Sequence, residues 1–163
     1  MSRSSWADVD CSVAQALDVI GEWWTLLILR NAFHGMRTFE AFQEHLGISS
    51  SVLSARLRKL TDAGVLSRHA SKSDGRSVEY RLTRKGLELY PVMISLKQWG
   101  DEWCSNGRGL RLELLEKATG APIAGAQVMS RDGSPLHAWE VEVRAGPGAD
   151  DLTRRLLDKE PPE

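Results

Sequence analysis

Apolar residues recur along this chain at two different periods, and the places where the period changes mark out its elements. From Cys11 to Ile20, Val13, Ala14, Ala16, Leu17 and Ile20 fall on one helical stripe, with Asp10 as the expected cap and Gly21 as the stop. Glu22 to Phe33 follows at once and is apolar nearly all round, through Trp23, Trp24, Leu26, Leu27, Ile28 and Leu29. That predicts the buried centre of a small helical domain. Gly35 breaks the run. Thr38 is placed to cap a short third helix carrying Phe39, Phe42 and Leu46, and Gly47 turns the chain into Ser49-Ser50-Ser51, where a hydroxyl can accept the free amides of a fourth helix. On that helix Leu53, Leu57 and Leu60 share one face. A rotation of about 100° per residue puts Ser51, Ser54, Ala55, Arg58 and Asp62 opposite, with Lys59 at the edge. Short side chains on an outward face let a helix backbone approach another surface closely; a merely solvated face would favour long glutamate and lysine pairs.

Beyond Gly64 the period becomes two. Val65, Leu66 and Arg68 begin a strand, Ser73-Asp74-Gly75-Arg76 is a hairpin turn signal, and Val78 to Leu82 alternates as the returning strand, with Lys72 and Arg76 at the tip. Thr83 caps a long helix running through Leu87, Tyr90, Ile94 and Trp99 towards Trp103, with Pro91 either kinking it or marking its true start. Four helices, a basic hairpin and a long helix predict a mainly α (α+β) chain, a winged helix-turn-helix with a long C-terminal dimerisation helix. Leu110 to Val143 reads as a small three-stranded meander: Leu110, Leu112 and Leu114 alternate with Arg111 and Glu113, Ala124, Ala126 and Val128 form a weaker middle strand, and Trp139, Val141 and Val143 form the last. The expected organisation is a domain over 1–107, a β extension over 108–148, and a charged, frayed tail over 149–163 with a short helix at Asp151 to Leu157.

Composition adds exclusions. The 163 residues are 42% apolar and 26% charged, ordinary fractions for a folded protein, and two cysteines, Cys11 and Cys104, do not make a disulfide scaffold. No stretch reaches the roughly 18 uninterrupted apolar residues of a membrane span, and the opening residues have no apolar signal core, so a cytoplasmic protein is expected. A net charge of −1 conceals a division. Residues 1–48 sum to −3, residues 49–86 to +6 and residues 87–163 to −4. A local basic block of that kind is the footprint a polyanionic partner leaves, although a solvated face is the alternative. His34, His45, His69 and His137 have no metal spacing, and neither a glycine-rich phosphate loop nor a nucleophile elbow is present, so no metal, no cofactor and no enzyme is expected.

These pieces, taken in order, resemble the HxlR-type regulators, winged-helix transcription factors related to MarR-like proteins. The resemblance covers about Cys11 to Gly100. It rests on Cys11-Ser-Val-Ala with Leu17-Asp-Val-Ile-Gly21, Trp24-Thr-Leu-Leu-Ile-Leu-Arg30, Phe39-Glu-Ala-Phe42, Ile48 through Leu60, Ala63-Gly64-Val-Leu66, Val78 through Gly86, and Trp99-Gly100. The family implies a homodimer built through the first and last helices, here Cys11 to Ile20 and Leu87 to Trp103. It also implies a fourth helix in the DNA major groove and a hairpin wing on the flanking backbone or minor groove. Two departures are visible: Ser12 stands where the family commonly has proline, and Leu110 to Val143 is similar in length to a zinc-ribbon-like module of some long members but lacks its cysteines, so no metal carries over.

Within that frame Ser49, Ser50, Ser51, Ser54 and Arg58 are expected at the groove, with Arg58 suited to a guanine's paired acceptors. Arg56 and Lys59 are expected on flanking phosphates, with an ion pair inside the domain as the alternative for Arg56. Lys72 and Arg76 are assigned to the wing, and Arg37 with Thr38 to a phosphate at a helix start. The implied partner is double-stranded DNA carrying an imperfect inverted repeat. Some relatives use a cysteine at the position of Cys11 to sense oxidants; a small buried residue is the alternative. A small-molecule effector is a further expectation, with Trp23, Trp24, Trp99 and Trp103 as candidate pocket walls or simply core. A winged module that binds protein rather than DNA is the rival reading.

Overall fold

The computed structural model describes residues 5–6, 9–71, 77–104, 107 and 109–157. Its elements are α1 (Ser12–Ile20), α2 (Trp23–Phe33), α3 (Phe39–Leu46), α4 (Ser50–Asp62), β1 (Leu66–Ala70), β2 (Val78–Leu82), α5 (Arg84–Leu87), α6 (Tyr90–Trp103) and α7 (Asp151–Leu157). They divide into two compact units, Trp23–Gln127 on one side and Met1–Glu22 with Val128–Glu163 on the other.

The first unit holds the core. Ile28 and Leu29 of α2, Phe42 of α3, and Leu53, Leu57 and Leu60 of α4 are all at most 1% exposed, with Val65 and Leu66 beside them. The leucine stripe of α4 is therefore buried as its spacing predicts. The all-apolar reading of α2 is only half right: Ile28 and Leu29 are inside, but Trp23 is 64% exposed and stacks on Trp24 with ring centres 4.2 Å apart.

Helix ends follow the chemistry of their residues. Thr38 Oγ1 accepts the Ala41 amide, and Ser49 Oγ accepts the Val52 amide. Between the two helices Gly47 takes a left-handed conformation (φ 62°), which costs glycine little and turns the chain sharply, while Ile48 is buried as the hinge's anchor. Pro91 lies in the first turn of α6, where its missing N–H is not needed; the long helix expected from Thr83 is thus two, with Thr83 capping the short α5. Gly86 in α5 is buried, and a Cβ there would stand 2.3 Å from the Val65 carbonyl oxygen, so this close crossing needs a glycine. At the end of α4, Thr83 Oγ1 donates to the Gly64 carbonyl and Lys85 Nζ to the Ala63 carbonyl, a cation at the negative end of the helix.

β1 and β2 pair antiparallel with Leu66 opposite Leu82, Arg68 opposite Tyr80 and Ala70 opposite Val78. The segment before α3 adds a third rung, with the Tyr80 amide donating to the Arg37 carbonyl at 2.7 Å and Thr38 bridging Glu79. The hairpin turn, including Lys72 and Arg76, lies outside the described residues.

Residues 110–143 depart from the expected meander. Among the described residues no strand forms there, only two isolated bridges, Leu115 with Pro122 and Met129 with Pro135, and Trp139 sits in a single 3-10 turn. Prolines at both bridges have no N–H to extend a ladder, and Gly120, Gly125 and Gly133 at positive φ bend the chain between them. The part of this stretch in the first unit is held to α6 by Gln98, whose Oε1 accepts the Ala126 amide at 2.8 Å.

In the second unit α1 is capped at Cys11 without a side-chain bond, so the expected Asp10 cap is not made; the Asp10 carboxylate accepts the Asp150 amide instead. Gly21 ends α1 as expected, and α7 occupies the residues anticipated. Only Ile20 of the α1 stripe is buried; Val13 is 67% and Leu17 55% exposed. Among the described residues, no single helix is long and apolar enough to cross a membrane.

Candidate nucleic-acid interface

α4 runs for 13 residues, about 20 Å at the helical rise, with its leucines inward. Ser51, Ser54, Arg58 and Asp62 are exposed, while Ala55, Arg56 and Lys59 are half-buried on the flanks. Ser54 and Arg58 open onto a hollow of about 270 Å³ whose other walls are Phe39, Thr61, Arg68 and Tyr80, with Asp62 at the rim. The hollow thus joins the outward face of α4 to the outer surface of the hairpin. Arg68 and Tyr80, which the sequence pattern did not single out, sit there because the strand register places them directly opposite one another. Among the described residues neither Arg58 nor Arg68 is in an ion pair.

The serines at the start of α4 are partly committed. Ser49 Oγ caps the helix and lies 3.3 Å from Ser51 Oγ, and Ser50 Oγ accepts from Gln43 Nε2 at 2.7 Å, which leaves the Ser50 hydroxyl hydrogen free to donate elsewhere. Arg37 is exposed beside the Thr38 cap, so the start of α3 presents a cation and helix amides together. Cys11 and Cys104 are both exposed, which removes the buried reading of Cys11 within the chain.

Part of the basic block is structural. Arg81 holds Glu79 at 2.8 Å, Arg84 pairs with Glu88 across one helical turn, and Lys85 is spent on a carbonyl. Glu79 also accepts from Ser71, and the hydrogen bond from the Arg81 guanidinium, helped by its charge, by Ser71 and by Arg37, holds the carboxyl below its ordinary value of 4.5 although partial burial pulls the other way. A carboxylate whose native value is lowered contributes stability above its unfolded value and loses it as the pH falls through the native one. Glu79→Gln should therefore destabilise the protein at neutral pH, and the difference from the parent should shrink as the pH drops below 4.5, read by urea unfolding at a series of pH values. A difference independent of pH would mean that the pair is not stabilising through its charge.

The fold and this interface can be set beside known proteins. The profile of the HxlR-like helix-turn-helix family matches residues 19–108. The chain belongs to that family. Its HxlR-like segment spans α2 to α6 and so contains every element that builds the hollow. Similar over most of its length is a Mycobacterium tuberculosis protein named "Uncharacterized HTH-type transcriptional regulator Rv3095", 39% identical over 137 residues, covering 84% of this chain and 87% of that protein. Among solved structures, PA1607, described as a candidate transcription factor, is 38% identical with a TM-score of 0.79, covering 86% of this chain and 98% of that one. The reduced form of the redox regulator HypR is 30% identical with a TM-score of 0.52, covering 56% and 92%.

Proposed function

We propose that this HxlR-like chain is a homodimeric, sequence-specific DNA-binding transcriptional regulator whose α4 enters the major groove. The observation that carries the reading is the face of α4 that holds short hydroxyls and Arg58 outward, beside Arg68, with neither guanidinium in an ion pair among the described residues. Affinity comes mostly from phosphate neutralisation and sequence preference from groups that reach base edges. Arg58 takes a guanine's O6 and N7, Ser50, Ser51 and Ser54 line the groove with Ser49 at its entrance, and Arg56, Lys59 and Arg68 hold phosphates. Arg37 and the amides behind Thr38 take a further phosphate, and Lys72 and Arg76 follow the flanking backbone or minor groove.

A second copy covers what the chain leaves bare: Val13 and Leu17 on α1, and Trp99 and Trp103, 59% and 72% exposed, on α6. The operator is then an imperfect inverted repeat with half-sites about one helical turn apart. In this reading residues 1–107 bind DNA and dimerise, 108–148 form an accessory segment and 149–163 a tail. Oxidant sensing at Cys11 is supported by its exposure at the start of α1 and by the likeness to a protein titled a redox regulator.

Sedimentation of the protein with an arbitrary labelled duplex over a range of salt tests the reading. A two-chain mass and a steep log-log loss of affinity with salt, falling by about one unit of slope for each phosphate-binding cation removed, support it. A single-chain mass, or no binding at low salt, favours a winged module that binds protein.

A further inference from the structure

A second hollow, of about 380 Å³, lies where the end of α2 and the middle of α6 meet the segment at 111–114. Its floor is apolar: Phe33, Tyr90, Met93, Ile94, Leu112 and Leu114. None of the four tryptophans expected at an effector pocket lines it. The size and lining are those of a site for a small organic molecule rather than for a protein partner.

The charges around the floor are lopsided. Lys97 and Asp101 pair across one turn of α6 and cancel. Arg111 is in no ion pair among the described residues, and Arg30 directs its guanidinium not at a carboxylate but at the side-chain oxygen of Asn31, through Nε at 3.0 Å and Nη2 at 2.9 Å. Two guanidinium groups thus border an apolar hollow whose one lining carboxylate, Asp101, is paired with Lys97, and among the described residues neither is in an ion pair. We infer that this hollow binds a small aromatic carboxylate, its ring on the floor and its charge between Arg30 and Arg111. Guanidinium groups hold carboxylates through paired hydrogen bonds, so the charge decides the ligand class.

The same residues connect the hollow to the helix-turn-helix. Asn31 is fully buried. Because its oxygen accepts from Arg30, its amide nitrogen is the group that faces His45 of α3, at 3.0 Å from Nδ1, and an amide nitrogen can only donate. His45 Nδ1 is therefore the acceptor of this contact. A carboxylate that draws Arg30 away takes the partner from the Asn31 oxygen and releases the constraint on the amide that holds α3. Binding at the hollow thereby reaches the helix preceding α4. This second step rests on the regulator reading for its meaning; the binding itself does not.

The test uses the full chain without DNA, so it stands or falls separately from DNA recognition. Calorimetric titration with 2-naphthoate, and with the uncharged 2-naphthamide as its isostere, should show the carboxylate bound at least about tenfold more tightly, the scale of one charge-assisted contact. Arg111→Gln, at an exposed position that leaves the core intact, should erase that preference. In nitrogen-resolved NMR, 2-naphthoate should shift the Asn31 side-chain amide and the His45 ring nitrogens, and 2-naphthamide should not. No saturable 2-naphthoate binding, equal affinity for the two compounds, or a preference untouched by Arg111→Gln would overturn the site. Binding without the Asn31 and His45 shifts would overturn the link to α3.

Discussion

Leu57→Ala should lower the unfolding free energy by about 2–5 kcal/mol, the range for deleting a leucine side chain from a tightly packed core. Leu57 is 1% exposed and stands between Leu53 and Leu60, both fully buried, so the cavity left behind has neighbours on every side and no route to solvent. In a chain of this size each kcal/mol corresponds to roughly 2–4 °C in the melting midpoint, so the loss is large against a total of about 5–15 kcal/mol. It should appear in urea unfolding as a lower midpoint at unchanged slope. The stripe is also what aims the opposite face of α4, so DNA affinity should fall with it even where the variant remains folded. A loss below about 0.5 kcal/mol would mean that α4 is not held through its leucines.

Arg58→Ala should act the opposite way. Its side chain is exposed and, among the described residues, in no ion pair, so stability should change by no more than about 0.5 kcal/mol. Binding to a preferred duplex should nevertheless weaken by about 1–3 kcal/mol and sequence preference should relax, because a bidentate contact to a guanine is lost and the phosphate contacts are kept. Arg68→Ala serves as the internal contrast: it borders the same hollow from the hairpin, and its loss should weaken preferred and scrambled duplexes alike. Equal losses for Arg58→Ala on both duplexes would move Arg58 from the bases to the backbone.

What could be read from the sequence was whatever depends on neighbours three or four residues away. The α4 stripe, the Thr38 cap, a serine cap for α4 within Ser49–Ser51, the Gly47 turn and the β1–β2 strands all follow from local spacing, and each is present, the α4 cap being Ser49. Features that need a distant partner were not legible. Arg68 and Tyr80 reach the hollow only through cross-strand register, and the Arg30–Asn31–His45 chain joins residues 14 positions apart. Asp10 has the composition of a cap, but its carboxylate is drawn to the Asp150 amide, 140 positions away. Residues 110–143 show the limit of alternation: leucines at every second position favour a strand, yet strands need partners, and prolines at Pro122 and Pro135 deny the ladder its donors. Charge counting had a similar limit, since Arg81, Arg84 and Lys85 belong to the basic block but are engaged within the fold.

The measurement that bears most directly on the regulator reading is selection of preferred sites from a randomised duplex library, followed by anisotropy titrations of the parent and Arg58→Ala on the selected sequence and its scramble. The selected sites should form an inverted repeat, the parent should bind them well above the scramble, and Arg58→Ala should close most of that gap. Selection that returns no common sequence, or a gap that survives intact in Arg58→Ala, would contradict it.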